Sequence, residues 1–166
     1  MNSIVLCGFM GCGKTTVGKA LSKQLNMPFI DTDEEIVKRE GRSIAEIFSA
    51  DGEEHFRSLE TELIAELSKT ENIIISLGGG LAANSKNHPF LKKCGKVILL
   101  DCGIEETLKR ISGDKSRPLT SGGKEDIINR YNARKPIYEA VADVTIDSSK
   151  DIDATVKQIL EMIGEK

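Results

Sequence analysis

An apolar run, Ile4-Val5-Leu6-Cys7, leads straight into Gly8-Phe9-Met10-Gly11-Cys12-Gly13-Lys14-Thr15, and a helix-like stretch follows at once. This succession constrains the fold more than any other feature of the chain. The spacing GxxxxGK[ST] builds a phosphate-binding loop when a strand precedes it and a helix follows. Glycines let the backbone curl around an anion, and the free N–H groups at the helix start face it. Gly11, Cys12, Gly13, Lys14, Thr15 and Thr16 are therefore the residues expected to hold the phosphates of ATP. Lys14 supplies a point charge for the β- and γ-phosphates, and the Thr15 hydroxyl suits Mg²⁺. Cys12, in a loop rich in N–H donors, is expected to be an acidified thiol that ATP shields from alkylation.

The rest of the chain alternates apolar bursts with helical spacing. Strands are expected at 3–7, 28–31, 72–77, 96–100 and 143–146. Helices are expected at 14–25, 53–67, 103–111, 124–141 and 151–163. Continuous apolar strands separated by helices imply an α/β fold with a parallel sheet covered on both sides, and ligands then bind beyond the carboxyl ends of the strands. Two stretches break the alternation. Residues 32–70 hold only helix-like sequence, which predicts a small helical insertion. Residues 112–124 are polar and glycine-rich, as a mobile lid would be.

A chain of 166 residues suits one domain. No apolar run reaches the ~20 residues of a membrane span, and the N-terminus does not read as a secretory signal, so a cytoplasmic protein is expected. The net charge of −3 argues against a nucleic-acid binder. Cys7, Cys12, Cys94 and Cys102 form no CxxC and have no ligand-like spacing to His55 or His88, so reduced thiols are expected rather than zinc.

The phosphate loop alone does not name a reaction. A GTPase needs DxxG and NKxD; neither occurs. A small-molecule kinase fits the length, the insertion and the lid. Asp31-Thr32-Asp33 ends the second strand at the ligand edge. Thr32 and Glu35 read as a capping box. Asp31 suits Mg²⁺ held through water, and Asp33 suits accepting or orienting an acceptor hydroxyl. Asp101, after Val97-Ile98-Leu99-Leu100, competes with Asp31 for the metal. Gly78-Gly79-Gly80 follows the third strand and lets backbone approach a ligand. Arg57 has Glu53 and Glu60 within a helical turn and reads as a surface ion pair. Arg117, in the lid, is placed to stabilise charge during transfer.

Together these residues resemble the shikimate kinase family. The resemblance runs from Ile4 to about Ile146. It rests on GFMGCGKTT at 8–16, DTD at 31–33, the FRxxE of Phe56 to Glu60, the triple glycine 78–80, Arg117-Pro118-Leu119, and Arg134 to Tyr138. It implies a three-layer α/β/α P-loop fold with five parallel strands in the order 2-3-1-4-5. Residues 32–61 would be the substrate-binding insertion and 112–124 the lid. It further implies MgATP-dependent phosphorylation of the 3-hydroxyl of shikimate, on the route to chorismate and the aromatic amino acids. Asp33, Arg57, Gly79, Gly80 and Arg134 would contact shikimate. Thr15 would bind Mg²⁺, with Asp31 and Ser76 acting through water. Arg110 and Arg117 would flank the nucleotide, and Asp33, Lys14 and Arg117 would carry the catalysis. The expected partners are ATP and shikimate, with no nucleic acid and no membrane, and the expected state is a monomer. The alternatives are a gluconate-type kinase and an ATP-binding module without transfer activity.

Overall fold

Strands that are apolar at every position have no face to give to water, so both faces must be covered. β1 (Ser3–Cys7) is buried throughout. Its Val5 and Cys7 join one core and its Ile4 and Leu6 the other. The computed structural model describes residues 2–113 and 123–164. Beside β1 it places β2 (Phe29–Asp31), β3 (Ile74–Ser76), β4 (Gly95–Asp101) and β5 (Val144–Asp147). All pairings are parallel, in the order β2-β3-β1-β4-β5. The expected α/β/α fold and strand order are both observed.

One layer holds α1 (Lys14–Leu25) and α9 (Ile152–Ile163), which contribute Val17, Leu21, Val156 and Ile159 to the smaller core. The opposite layer holds α2 (Thr32–Glu40), α3 (Ile44–Asp51), α4 (Glu53–Leu67), α5 (Gly79–Ala83), α6 (His88–Cys94), α7 (Ile104–Gly113) and α8 (Gly123–Val141). Their apolar faces build the larger core around Ile36, Ile47, Phe56, Leu63, Leu91 and Tyr138. The helix-only stretch after β2 is therefore α2, α3 and α4. Sequence reading left 79–94 without structure, whereas it holds α5, a short 3-10 turn and α6. These helices are too short to show a clear apolar period. Of the expected lid, residues 112–113 close α7 and 123–124 open α8; residues 114–122, with Arg117, lie outside the described residues.

The start of α2 differs from the expected capping box. Asp31 is the cap: its Oδ1 accepts from the backbone N–H groups of Asp33 at 3.0 Å and Glu34 at 3.1 Å. Thr32 is instead the first helical residue, fully buried, and its Oγ1 accepts from Gly78 N–H at 2.9 Å. A buried hydroxyl must find a partner, and the nearest donor belongs to the segment after β3. This bond ties the ends of β2 and β3 together. In-register pairing of Asp31 with Ser76 and of Ser76 with Leu6 sets the loop after β1 beside both.

Leu21 is fully buried between α1 and the sheet. Leu21→Ala should cost about 3 kcal/mol of unfolding free energy by urea denaturation. A loss below about 1 kcal/mol would mean that α1 is not docked through this face.

Candidate active site

A cleft of about 850 Å³ opens at the carboxyl edge of the sheet. The phosphate loop forms its floor. Gly11 and Gly13 take φ of 76° and 97°, a region costly for side chains with a Cβ. Lys14 Nζ donates to the carbonyls of Gly8 at 2.7 Å and Phe9 at 3.1 Å, so the ammonium is held over the loop. Thr15, Thr16, Asp31, Asp33, Ser76, Gly79, Arg110 and Arg134 also line the cleft.

Three hard oxygen donors gather beside the loop. Thr15 Oγ1 donates to Asp31 Oδ2 at 3.1 Å. Ser76 Oγ, paired in register with Asp31, is buried and has no hydrogen-bond partner among the described residues. Hydroxyl and carboxylate oxygens suit Mg²⁺, and a buried hydroxyl left unsatisfied is costly without a water or ligand. Asp101, the competing candidate, has its oxygens engaged elsewhere. Oδ1 accepts from Gly103 N–H at 2.9 Å and the Tyr131 hydroxyl at 2.8 Å, and Oδ2 pairs with Lys135 at 3.1 Å. Burial pushes the Asp101 carboxyl up, but these donors outweigh it and hold it below the ordinary range.

The triple glycine packs against side chains from three helices. A Cβ on Gly78 would stand 2.5 Å from Asp33 Oδ1. A Cβ on Gly79 would stand 3.2 Å from Arg134 Nη1 and 3.3 Å from the Tyr138 hydroxyl, and one on Gly80 would overlap the Arg57 guanidinium. The sequence reading expected these glycines to let backbone approach a ligand. They also let three charged side chains close on the backbone. Arg57 and Gly80 are not part of the cleft lining; Arg57 lies against Gly80, next to Gly79 of the lining. Tyr138 donates to Gly79 O at 2.7 Å, and its hydroxyl pKa is pushed up to about 12, chiefly by burial, with the Arg134 charge opposing.

Arg110 is a strut between the phosphate loop and the segment after β5. Its Nη1 donates to Gly11 O at 3.1 Å, its Nη2 to Ser148 O at 2.8 Å, and its Nε to Glu106 at 3.0 Å. Cys12 is 2% exposed and packs in the smaller core, and it also lines the cleft, with Lys14 Nζ 3.6 Å from its Sγ.

The family model for shikimate kinase matches residues 10–164. The chain belongs to the shikimate kinase family. It is 45% identical over 157 residues to shikimate kinase of Aquifex aeolicus, covering 95% of this chain and 93% of that one. The solved structure of shikimate kinase from Acinetobacter baumannii in complex with shikimate matches with a TM-score of 0.90 at 35% identity, covering 98% of this chain and 93% of that one. A gluconokinase from Sinorhizobium meliloti 1021 aligns with a TM-score of 0.65 at 18% identity, over 96% of this chain and 90% of that one, a likeness of fold alone.

Two features of the cleft and its surroundings escaped the reading of single residues. The β5–α9 segment lines the cleft through Ser148, Lys150, Asp151, Ile152 and Thr155, although its sequence looks like an ordinary loop. Glu60 is 1% exposed and accepts from Arg57 Nη1 at 2.6 Å, so the presumed surface pair is half core. The other partner, Glu53, is 70% exposed at 3.1 Å. Burial raises the Glu60 pKa from 4.5 to about 7 against the opposing pull of Arg57.

The folded protein then keeps a proton that the unfolded chain has already released between these two values. Stability contributed by this group falls as pH rises from 4.5 toward about 7. Without ligands, the unfolding free energy of wild type relative to Glu60→Gln should decline as pH is raised through this window. A difference that does not vary with pH would contradict the raised pKa.

Proposed function

We propose that the chain transfers the γ-phosphoryl group of ATP to the 3-hydroxyl of shikimate, giving shikimate 3-phosphate for chorismate and aromatic amino-acid synthesis. Membership of the family supports the reaction. The observation that carries the substrate is the set Asp33, Arg134 and Arg57, packed against Gly78, Gly79 and Gly80 beside the phosphate loop. Shikimate bears one carboxylate and three hydroxyls. Two guanidinium forks and one carboxylate are its chemical complement.

In this reading Lys14 and the loop N–H groups hold the phosphates, and Arg110 braces the nucleotide end. Thr15 would hold Mg²⁺, with Asp31 and Ser76 reaching it through water, and the ion would supply neutralisation of the phosphate charge. Arg134 and Arg57 hold the shikimate carboxylate, which takes the place of exposed Glu53 on Arg57 while buried Glu60 keeps the guanidinium aimed. Asp33 orients the 3-hydroxyl and accepts its proton, leaving the oxygen to attack phosphorus in line with the departing ADP. Arg117, outside the described residues, is assigned from the sequence to stabilise the transferring phosphoryl group. Residues 1–166 act as one kinase domain, with 32–61 as the substrate-binding insertion and 112–124 as the lid.

We further read the chain as a cytoplasmic monomer. Its four cysteines are free and buried, which fits a reducing compartment. Among the described residues no helix is long and apolar enough to cross a membrane. The only large apolar side chains exposed there are Phe48 and Ile152.

Asp33→Asn should lower kcat for shikimate phosphorylation by about a hundredfold or more while ATP affinity stays within about twofold. Turnover within severalfold of wild type would remove Asp33 from the chemistry. Arg134→Lys should raise the shikimate KM about tenfold, because a lysine cannot make the fork contact. An unchanged shikimate KM, or equal turnover with gluconate in a coupled ADP-release assay, would contradict the substrate assignment.

A further inference from the structure

The carboxyl end of β4 carries a buried-edge cluster that the reaction itself does not use. Asp101 there gathers three donors. Two of them, Tyr131 and Lys135, are one turn apart on α8, and the third is the backbone N–H of Gly103 in the turn before α7. Tyr131 is also held edge-on by Phe9 of the phosphate loop, with ring centroids 5.6 Å apart. Lys135 Nζ lies 5.7 Å from the Tyr131 ring centroid, so the three side chains support one another.

Arg134 sits between these contacts. It follows Tyr131 by three residues, precedes Lys135 by one and precedes Tyr138 by four. The helix alone does not aim this turn. Pro136 lies inside α8; it has no N–H for the carbonyl one turn back, and its ring crowds that carbonyl, so helices bend at such a point. The direction of the turn that carries Arg134 then depends on what holds the helix from outside. Tyr138 on Gly79 O holds it after the proline, and Asp101 holds it before.

We infer that Asp101 is a positioning residue for the acceptor site: it fixes the pre-proline turn of α8 to β4 and so sets where the Arg134 guanidinium stands over Gly79. This rests on the reading of Arg134 as a shikimate ligand. Asp101 touches neither substrate. Its effect passes through Tyr131 and Lys135 to Arg134, and its link to Phe9 places that turn relative to the phosphate loop. The nucleotide end is braced by bonds of Arg110 itself, to Gly11 O and Ser148 O, that do not involve Asp101. Loss of Asp101 should therefore loosen the acceptor more than the nucleotide.

The test is steady-state kinetics of the full chain with both substrates varied, on Asp101→Ala, Asp101→Asn and Tyr131→Phe. Asp101→Ala should raise the shikimate KM about tenfold, with the ATP KM and kcat changed less than about threefold. Asp101→Asn keeps an oxygen for Gly103 and Tyr131 but loses the pairing with Lys135, and its shikimate KM should fall between wild type and Asp101→Ala. Tyr131→Phe deletes a single hydroxyl, tests the same link if Asp101→Ala does not fold, and should raise the shikimate KM about threefold or more. The inference is overturned by an unchanged shikimate KM in Asp101→Ala and Tyr131→Phe. It is equally overturned if ATP and shikimate KM rise together, or if Asp101→Asn is as impaired as Asp101→Ala. Wild-type protein that does not phosphorylate shikimate overturns the functional reading instead, and the wild-type control separates that failure from the others.

Discussion

Three charged side chains need to reach the same short piece of backbone. Asp33 comes from α2, Arg57 from α4 and Arg134 from α8, and each meets one of the successive residues Gly78, Gly79 and Gly80. Methyl groups at these positions would collide with the carboxylate and crowd or overlap both guanidinium groups. The contact depends on the sheet as well. Gly78 N–H is held by buried Thr32, and Gly79 O by Tyr138, so the segment is fixed from both sides. The parallel register then sets this segment beside Lys14 and Thr15 on the loop after β1.

The electrostatics follow from that packing. Arg57 is clamped between an exposed and a buried glutamate, and burial of Glu60 keeps part of the negative charge protonated near neutral pH. Asp31 divides its two oxygens between the α2 backbone and the Thr15 hydroxyl. Asp31 lines the cleft beside the phosphate loop, whereas Asp101 is turned to Gly103, Tyr131 and Lys135 and is not among the residues that line it. Acids at strand ends look alike in sequence. What separates them is which helix lies over them.

Much of the fold was legible because its signals are periodic or local. The apolar bursts located all five strands, and the phosphate loop announced the β1–α1 turn. The short helices α5 and α6 were not legible, since a turn or two carries too little period. The site was legible where a motif is contiguous: Lys14, Thr15, Asp31 and Asp33 stand within one cleft. It was less legible where a role depends on burial. Glu60 lies four residues after Phe56 and four before Ile64, on the apolar stripe of α4, and that spacing was the available sign that it is not a surface charge. Cys12 belongs to the phosphate loop and to the smaller core at once, and burial of that kind does not show in the sequence. The capping reading at Thr32 failed because a buried threonine is claimed by the neighbouring strand end.

Glycine at 78–80 seats Asp33, Arg134 and Arg57. Gly80 offers the cleanest probe, because it lies in the first turn of α5 with no left-handed φ, so alanine meets the Arg57 guanidinium without backbone strain. The direct measurement is the shikimate KM of Gly80→Ala beside its ATP KM. Displacement of Arg57 predicts a shikimate KM raised about tenfold or more at an unchanged ATP KM. An alanine variant with both constants at the wild-type level would contradict it.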